Sequence, residues 1–241
     1  MRTVLLHGLG GGASSWRFVM PLLEALDGEL VALDLLGHAG RLAPADVCFG
    51  DLVIDVRARV DGPCRVVGFS LGGSVALDLA LRHPAVVAEL VLVAATAGVS
   101  DPRLRIKRRH SAATNAQRLV ELGVGRYADE RLRLYSSPTV AQRWREDFVR
   151  NRPDALAAVM RGTGSGSRPA LWQHLAKIRS PTVVIVGEHD DSARDARRTP
   201  KSIPMASFID VRDAGHDLPL EAPEALAAIL APGILSTTGS V

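Results

Sequence analysis

A serine lies between two glycines in the stretch Gly68–Gly72, which reads Gly-Phe-Ser-Leu-Gly. A short apolar run, Val66–Val67, precedes it, and an alanine- and leucine-rich helical pattern, Ser74–Arg82, follows it. Gly-x-Ser-x-Gly between a strand and a helix is the nucleophile-elbow pattern, a tight turn that exposes the serine hydroxyl. A Cβ at either glycine would clash with the neighbouring strand or helix. Ser70 is therefore the candidate nucleophile or base, and the alternative is a glycine-rich turn with an idle serine.

Two further residues could activate Ser70. A serine hydroxyl needs a histidine to take its proton, and that histidine needs a carboxylate to hold one tautomer. Asp190 follows one apolar strand pattern, and His216 follows the next. Because the carboxyl ends of parallel strands share one edge of a sheet, we expect both residues to lie beside Ser70. The expected catalytic residues are Ser70, Asp190 and His216, with Asp191 as the alternative acid in a poorer register.

The loop His7–Ala13, which reads His-Gly-Leu-Gly-Gly-Gly-Ala, has two interpretations. It imitates a dinucleotide-binding fingerprint, with an acidic residue about twenty positions further on. It also matches the His-Gly loop that supplies one oxyanion donor in a serine enzyme. The segment Asp34–His38, Asp-Leu-Leu-Gly-His, and the elbow favour the second interpretation. We therefore expect the backbone N–H groups of Leu9 and Leu71 to form an oxyanion hole, each worth about 3 kcal/mol, and we expect no cofactor.

The elements that must position these residues alternate between strand and helix patterns, which predicts an α/β fold with right-handed crossovers. The predicted strands are Thr3–Leu6, Leu30–Leu33, the run that enters the elbow, Glu89–Val93, Thr182–Val186 and Ser207–Val211. The predicted helices are Trp16–Asp27, Asp51–Val60, Ser74–Arg82 and Glu221–Leu230. We expect a mostly parallel sheet of about six strands, flanked by helices.

The alternation stops after Gly98, and only helical patterns follow as far as Met160. This predicts a helical cap over residues 99–168, inserted between the two parts of the core, 1–98 and 169–241. The stretch Asp101–Ala170 has 15 Arg and Lys against 7 Asp and Glu, a net charge of +8, whereas the rest of the chain is at −5. Without stacking aromatics or a nucleic-acid motif, a small anionic substrate suits this charge better than nucleic acid. For most of these arginines the alternative, a solvated helix surface, holds.

The composition of the chain argues against a membrane-spanning protein and against a metal-binding protein. The chain has 241 residues, enough for one domain, and no apolar run approaches a membrane span. Cys48 and Cys64 have no metal-ligand spacing, and the seven histidines share none, so we expect no metal. His189 is expected to be a solvated loop residue and residues 236–241 to fray. The resulting expectation is a reduced, cytoplasmic protein with a small-molecule substrate and neither a nucleic-acid nor a membrane partner, as a monomer or a dimer.

The motifs together resemble the α/β-hydrolase superfamily over nearly the whole chain. They are His7-Gly8, Asp34–His38, Gly68–Gly72, Gly187–Asp190 and Ala214–His216. In the cap, Arg150–Ala157, Met160–Gly166 and Leu171-Trp172 resemble one branch, the 2-succinyl-6-hydroxy-2,4-cyclohexadiene-1-carboxylate synthases of menaquinone biosynthesis. The resemblance implies that Ser-His-Asp acts as a base that eliminates pyruvate from a polycarboxylate. The N-terminal hairpin usual in the fold is missing here, which implies a shorter sheet.

The resemblance also implies substrate-binding residues. Arg108, in Arg105-x-x-Arg108-Arg109, and Arg150 match arginines of that branch, and Phe69 and Trp172 complete the expected set.

The chain also departs from the branch. Ser74 stands where the branch has an arginine, and Glu130 and Arg131 replace an aromatic pair. These departures keep two alternatives open. One is a serine hydrolase, a carboxylesterase, enol-lactonase or thioesterase, for a small anionic ester. The other is a non-catalytic ligand receptor of the same fold.

Overall fold

Six strands form one sheet in the computed structural model, which describes residues 1–23, 28–164 and 166–231. The strands are β1 (Thr3–Leu6), β2 (Leu30–Leu33), β3 (Cys64–Phe69), β4 (Val87–Val93), β5 (Thr182–Gly187) and β6 (Ala206–Val211). Their order across the sheet is β2-β1-β3-β4-β5-β6, and every neighbouring pair is parallel. The predicted fold class is confirmed.

The order in which strands are added to the sheet reverses next to β1. Strand β2 lies on one side of β1, whereas β3 and the later strands lie on the other side. Leu6, at the end of β1, pairs with Leu33 of β2 on one side and with Gly68 of β3 on the other. The loops that follow β1 and β3 therefore emerge side by side. Such a switch point, at the carboxyl edge of a parallel sheet, is where ligands bind in open α/β folds.

Helices cover both faces of the sheet because its central strands are apolar on both sides. They are α1 (Met20–Leu23), α2 (Phe49–Ala58), α3 (Leu71–Arg82), α7 (Leu218–Glu221) and α8 (Pro223–Leu230). Val4 and Leu6 pack into one apolar cluster with α2 and α3. Leu5, between them in sequence, points to the opposite cluster, with Trp16 and leucines of α7 and α8. Both clusters are fully enclosed and fix the register of the sheet.

The cap consists of three longer helices between β4 and β5, namely α4 (Pro102–Arg131), α5 (Pro138–Phe148) and α6 (Pro153–Thr163). The side chain of Asp101 caps α4 by accepting hydrogen bonds from two backbone N–H groups. Gly123 divides α4 with φ of +72°, a conformation that favours glycine. The three helices enclose an apolar cluster of their own, centred on Leu119, Leu156 and Phe148.

Polar contacts join the cap to the core. Asp147 of α5 is buried, and its Oδ1 accepts hydrogen bonds from Ser14 Oγ at 2.7 Å and from Arg17 at 2.8 Å. Asn151 donates to the carbonyl of Gly10 at 2.7 Å and accepts from the N–H of Ala39 at 2.9 Å. The cap is therefore held directly over the loop that follows β1.

Two predicted helices differ from the observed ones. A 3₁₀ turn at Ala13–Trp16 and the short α1 replace the first part of Trp16–Asp27, while residues 24–27 lie outside the described ranges. The predicted helix Glu221–Leu230 is broken at Ala222, which has φ of −136°, because α8 restarts at Pro223. The expected fraying of residues 236–241 falls outside the described residues, and the boundaries 1–98, 99–168 and 169–241 stay a prediction. Nowhere in the described ranges is a helix both long and apolar enough to span a membrane.

Candidate active site

The turn between β3 and α3 holds Ser70 in a strained conformation, with φ of +50° and ψ of −107°. Such a backbone is costly for a residue with a side chain and persists only where the surroundings enforce it. A Cβ on Gly68 would enter the backbone of the first turn of α3, and one on Gly72 would lie 2.6 Å from the carbonyl oxygen of His7. The close approach that the sequence predicted at both glycines is therefore present, and it places the Ser70 hydroxyl at the carboxyl edge of the sheet.

The structure brings Ser70, His216 and Asp190 together in one hydrogen-bonded chain. His216 Nε2 lies 3.1 Å from Ser70 Oγ, and His216 Nδ1 lies 2.8 Å from Asp190 Oδ2. Asp190 is almost completely buried, whereas Asp191, the alternative acid, is exposed. This arrangement can move a proton from the serine hydroxyl to the imidazole and stabilise the imidazolium that results.

Opposing effects act on the pKa of His216. Burial lowers the pKa, but the hydrogen bond to Asp190 and the negative charges of Asp217, Asp190 and Glu221 outweigh it, so the net shift is upward. A raised pKa makes the imidazole a stronger base. The surroundings of His216 therefore favour proton transfer from Ser70.

His7 ties the loop after β1 to the loop after β2. Its Nε2 accepts a hydrogen bond from the N–H of Leu35 at 2.9 Å, so Nδ1 carries the proton and donates to the carbonyl of Gly8 at 2.7 Å. Complete burial lowers the pKa of His7 to about 4, with a smaller contribution from neighbouring arginines. The ring is therefore neutral and fixes the path of the Gly8–Leu9 backbone.

Two backbone N–H groups are placed to receive a developing negative charge. Leu71 follows Ser70 and begins α3, where the amides of the first turn have no helical partner. Leu9 lines the cavity above Ser70. Neither amide donates to another group within the described part of the chain. The positive end of the α3 dipole adds to their effect at this position.

A cavity of about 600 Å³ lies between the cap and Ser70. Its floor comes from the core, and its walls come from α4, α5 and the segment between them. Its aromatic lining consists of Phe69, Tyr127, Tyr135, Trp144 and Phe148. Of these, only Phe69 was expected from the sequence. Both tyrosines of a chain with few aromatic residues fall in this segment, a compositional signal that could have identified the wall.

The charges in this cavity are unevenly distributed. Arg108 and Arg131 line it on the cap side, and Asp217 lines it next to His216. Burial, with repulsion from Glu221 and Asp190, raises the pKa of Asp217 against the opposing effects of His216 and a hydrogen bond from Tyr135. A ligand that spans the cavity therefore meets positive charge at one end and the half-buried acid Asp217 at the other.

Two predicted substrate-binding residues lie elsewhere. Arg150 is exposed and does not line the cavity, because the turn between α5 and α6 directs Asn151 inward instead. Trp172 donates its indole N–H to the carbonyl of Gly98 at 2.8 Å and lies under the guanidinium of Arg198. Trp172 therefore anchors the end of the cap segment to the core, and neither Arg150 nor Trp172 lines the cavity above Ser70.

The two residues read as replacing an aromatic pair have separate environments. Glu130 forms a surface ion pair with Arg118 at 2.6 Å. Arg131, as noted, lines the cavity, and its guanidinium stands 5.7 Å from the ring centre of Tyr127.

Three possible metal ligands, Glu188, His189 and Asp213, approach within 4.8 Å of one another. All three are exposed, and His189 is a surface loop residue as predicted. The N–H of Asp213 donates to a Glu188 oxygen at 3.2 Å, which accounts for their closeness. Cys48 and Cys64 are both free thiols.

Comparisons with known proteins place these features in a family. The chain belongs to the alpha/beta hydrolase family, whose sequence profile matches residues 3–229. A 2-succinyl-6-hydroxy-2,4-cyclohexadiene-1-carboxylate synthase of Salmonella paratyphi B is 28% identical over 95% of this chain and 91% of its own length. A Bacillus subtilis (strain 168) protein that carries this name provisionally is 28% identical over 97% of this chain and 90% of its own length.

Solved structures agree on the fold. MenH from S. aureus superposes with a TM-score of 0.87 at 21% identity, over 95% of this chain and 91% of that protein. The enol-lactonase from Burkholderia xenovorans LB400 superposes with a TM-score of 0.78 at 22% identity, over 95% of this chain and 89% of that one. The chain therefore resembles the synthase branch in sequence while sharing its architecture with other enzymes.

Proposed function

We propose that this chain is an enzyme in which Ser70, His216 and Asp190 act as one catalytic unit. The hydrogen-bonded chain from Ser70 through His216 to the buried Asp190 is the observation that carries the proposal. The strained backbone at Ser70 supports it, as do the amides of Leu9 and Leu71, which donate to no group among the described residues. The oxyanion hole is assigned to those two amides.

The reaction we propose first is elimination of pyruvate from a cyclohexene polycarboxylate, as in the synthases that the chain resembles. The relatives at 28% identity over nearly the full length support this reaction, as does the arginine-bearing wall of the cavity. Carboxylates are matched by guanidinium groups, and the aromatic lining suits a six-membered ring. The substrate itself is an inference from this chemistry.

In this elimination Ser70, His216, Asp190 and the two backbone amides would each have a separate role. Ser70 Oγ, its proton drawn to His216 Nε2, removes a proton from a substrate carbon. The electron pair of that C–H bond forms the new double bond, and the bond to the leaving pyruvate enolate breaks with its electrons. The amides of Leu9 and Leu71 stabilise the negative oxygen that develops, and Asp190 stabilises the imidazolium. The imidazolium of His216 then gives its proton to the enolate, which leaves as pyruvate, and neutral His216 and the Ser70 hydroxyl are restored.

A serine hydrolase acting on a small anionic ester is the second candidate. Ser74, in place of the arginine found in the synthase branch, and the acid Asp217 in the cavity lining favour it. The first lacks the positive charge that would bind a further substrate carboxylate, and the second places an acid where it would repel one. In this reaction the same Ser70 oxygen would attack an ester carbonyl and form an acyl-enzyme.

Covalent labelling tests the catalytic unit. A small neutral aryl phosphonofluoridate should modify the wild-type protein once, at Ser70, as read by peptide mass spectrometry. Ser70→Ala should abolish labelling, while Ser111→Ala, a matched loss of another hydroxyl in the cavity, should leave it unchanged. A wild-type protein that resists the reagent is a ligand receptor rather than an enzyme. Pyruvate release measured beside ester hydrolysis then separates the two reactions.

A further inference from the structure

Arg168 reaches from the end of the cap into the core beside Ser70. It follows α6, and its backbone N–H donates to the carbonyl of Gly164 at 3.2 Å, on the rim of the cavity. Its guanidinium donates to Ser74 Oγ, one helical turn after Ser70 on α3. Ser74 is buried, with its hydroxyl 3.3 Å from the carbonyl of Thr96. The positive charge of Arg168 therefore lies next to the catalytic turn.

This charge has no acidic partner in the described part of the chain. The Nε of Arg168 is enclosed and makes no hydrogen bond with any group that the structure describes. Among the part-buried arginines of the core, Arg17, Arg41 and Arg65 each form an ion pair with a carboxylate at 2.6–2.8 Å. Neither Arg168 nor Arg108 forms such a pair with a described residue.

Arg108 lines the cavity, and so does Gly164, whose carbonyl accepts the backbone N–H of Arg168, so Arg168 lies beside the cavity wall. Burial, and then the charge of Arg108, lower the pKa of Arg168 to about 10. Two guanidinium groups held near each other, without an acid, are costly unless an anion joins them. A carboxylate fits this need, since its two oxygens can accept from the planar forks of both arginines.

We propose that Arg168 and Arg108 together bind one carboxylate of the substrate, next to Ser74, and that Arg168 sets the preference of this site for anionic substrates. The proposal rests on the proposed function, because it places that carboxylate on a molecule processed at Ser70. The binding step itself does not require the reaction, so it can be measured separately.

Calorimetric titration with succinate is the direct test, with succinamide as the uncharged probe of the same shape. Arg168→Gln and Arg108→Met should each weaken succinate binding at least 10-fold, the loss of about one charge-assisted contact. Arg150→Met, which removes an exposed arginine of the cap outside the cavity, should leave it unchanged. Equal succinate affinity in wild type and Arg168→Gln overturns the proposal.

Arg168 could instead serve only to hold the cap on the core, and Arg168→Gln is chosen to separate the two roles. Glutamine keeps a donor for Ser74 Oγ but removes the charge. We expect its melting temperature to stay near that of wild type, while kcat/KM falls at least 10-fold for an anionic ester and less than 2-fold for a neutral one. A lowered melting temperature, with equal losses for both esters, would show a structural clamp and overturn the proposal. Arg168→Lys, if Arg168→Gln does not fold, should retain part of the succinate affinity.

Labelling of Ser70 by the neutral phosphonate keeps this inference distinct from the proposed function. If the phosphonate modifies Ser70 and Arg168→Gln binds succinate as tightly as wild type, the proposed carboxylate site is contradicted while the proposed serine enzyme is supported. If the phosphonate does not modify Ser70 but Arg168→Gln weakens succinate binding, the catalytic assignment is contradicted while the proposed carboxylate site is supported.

Discussion

His216 connects the half-buried hydroxyl of Ser70 to the buried carboxylate of Asp190, and its protonation should control the reaction. Because neutral imidazole is the base, kcat/KM for a neutral ester should rise with pH. Its raised pKa puts the midpoint above the usual 6.5. Asp190→Asn removes the hydrogen bond that raises the pKa, so the midpoint should move down while kcat falls about 10⁴-fold. A pH–rate profile of both proteins measures this, and an unchanged midpoint in Asp190→Asn would contradict it.

The elbow glycines give a second test at single residues. Gly72→Ala would press a methyl group against the carbonyl oxygens of Leu6 and His7, so we expect a loss of about 1–3 kcal/mol of unfolding free energy and little labelling of Ser70. Gly50→Ala is the control, because the site in α2 is open and alanine favours a helix there by about 0.5–1 kcal/mol. Urea unfolding measures the unfolding free energy of both variants. An equal change in Gly72→Ala and Gly50→Ala would contradict the steric explanation.

At the scale of elements, the loops after β1 and β2 depend on a neutral histidine. The pKa of His7 falls to about 4 in the folded protein, so the unfolded chain binds more protons between that value and 6.5. The stability contributed by neutral His7 is present above pH 6.5 and is lost as the pH falls toward 4, a loss of about 3 kcal/mol. His7→Asn should flatten this part of the curve of unfolding free energy against pH. His110→Asn, which alters an exposed histidine, should leave the curve as in wild type.

The core elements were predictable because their physical causes are local. Strands β1 and β2 occupy the predicted residues, since continuous apolar runs bounded by glycine and polar residues leave few alternatives. The proximity of Asp190 and His216 to Ser70 follows from parallel strands ending at one edge. Inside the cap the same reasoning fails, because whether Arg150 or its neighbour faces inward depends on how a turn packs against another part of the chain. Arg168 was missed for that reason: its partner lies 94 residues away.

For the whole molecule, the uneven charge should appear as a dependence on salt. Several surface arginines of the cap are neutralised, such as Arg118 by Glu130 and Arg145 by Asp129, but the segment keeps its net charge of +8. An anionic substrate should therefore be attracted over about 20 Å at an ionic strength of about 0.02 M. Raising salt from about 0.02 M to about 0.3 M should lower kcat/KM several-fold for an anionic ester and less than 2-fold for a neutral one. Stopped-flow or initial-rate measurements on a matched ester pair test this, and parallel curves would rule out steering.

The cap leaves and rejoins the core at almost the same place. The N–H of Leu171 donates to the carbonyl of Ala97 at 2.7 Å, and Gly98, with φ of +97°, leaves no room for a side chain beside Pro169. No strand has to move when the segment between these residues changes in length or sequence. In evolutionary terms the cap can be exchanged without disturbing the strands that carry Ser70, Asp190 and His216. Descendants of one ancestral gene could acquire new substrates by replacing some seventy codons, while inheriting the serine, histidine and aspartate unaltered.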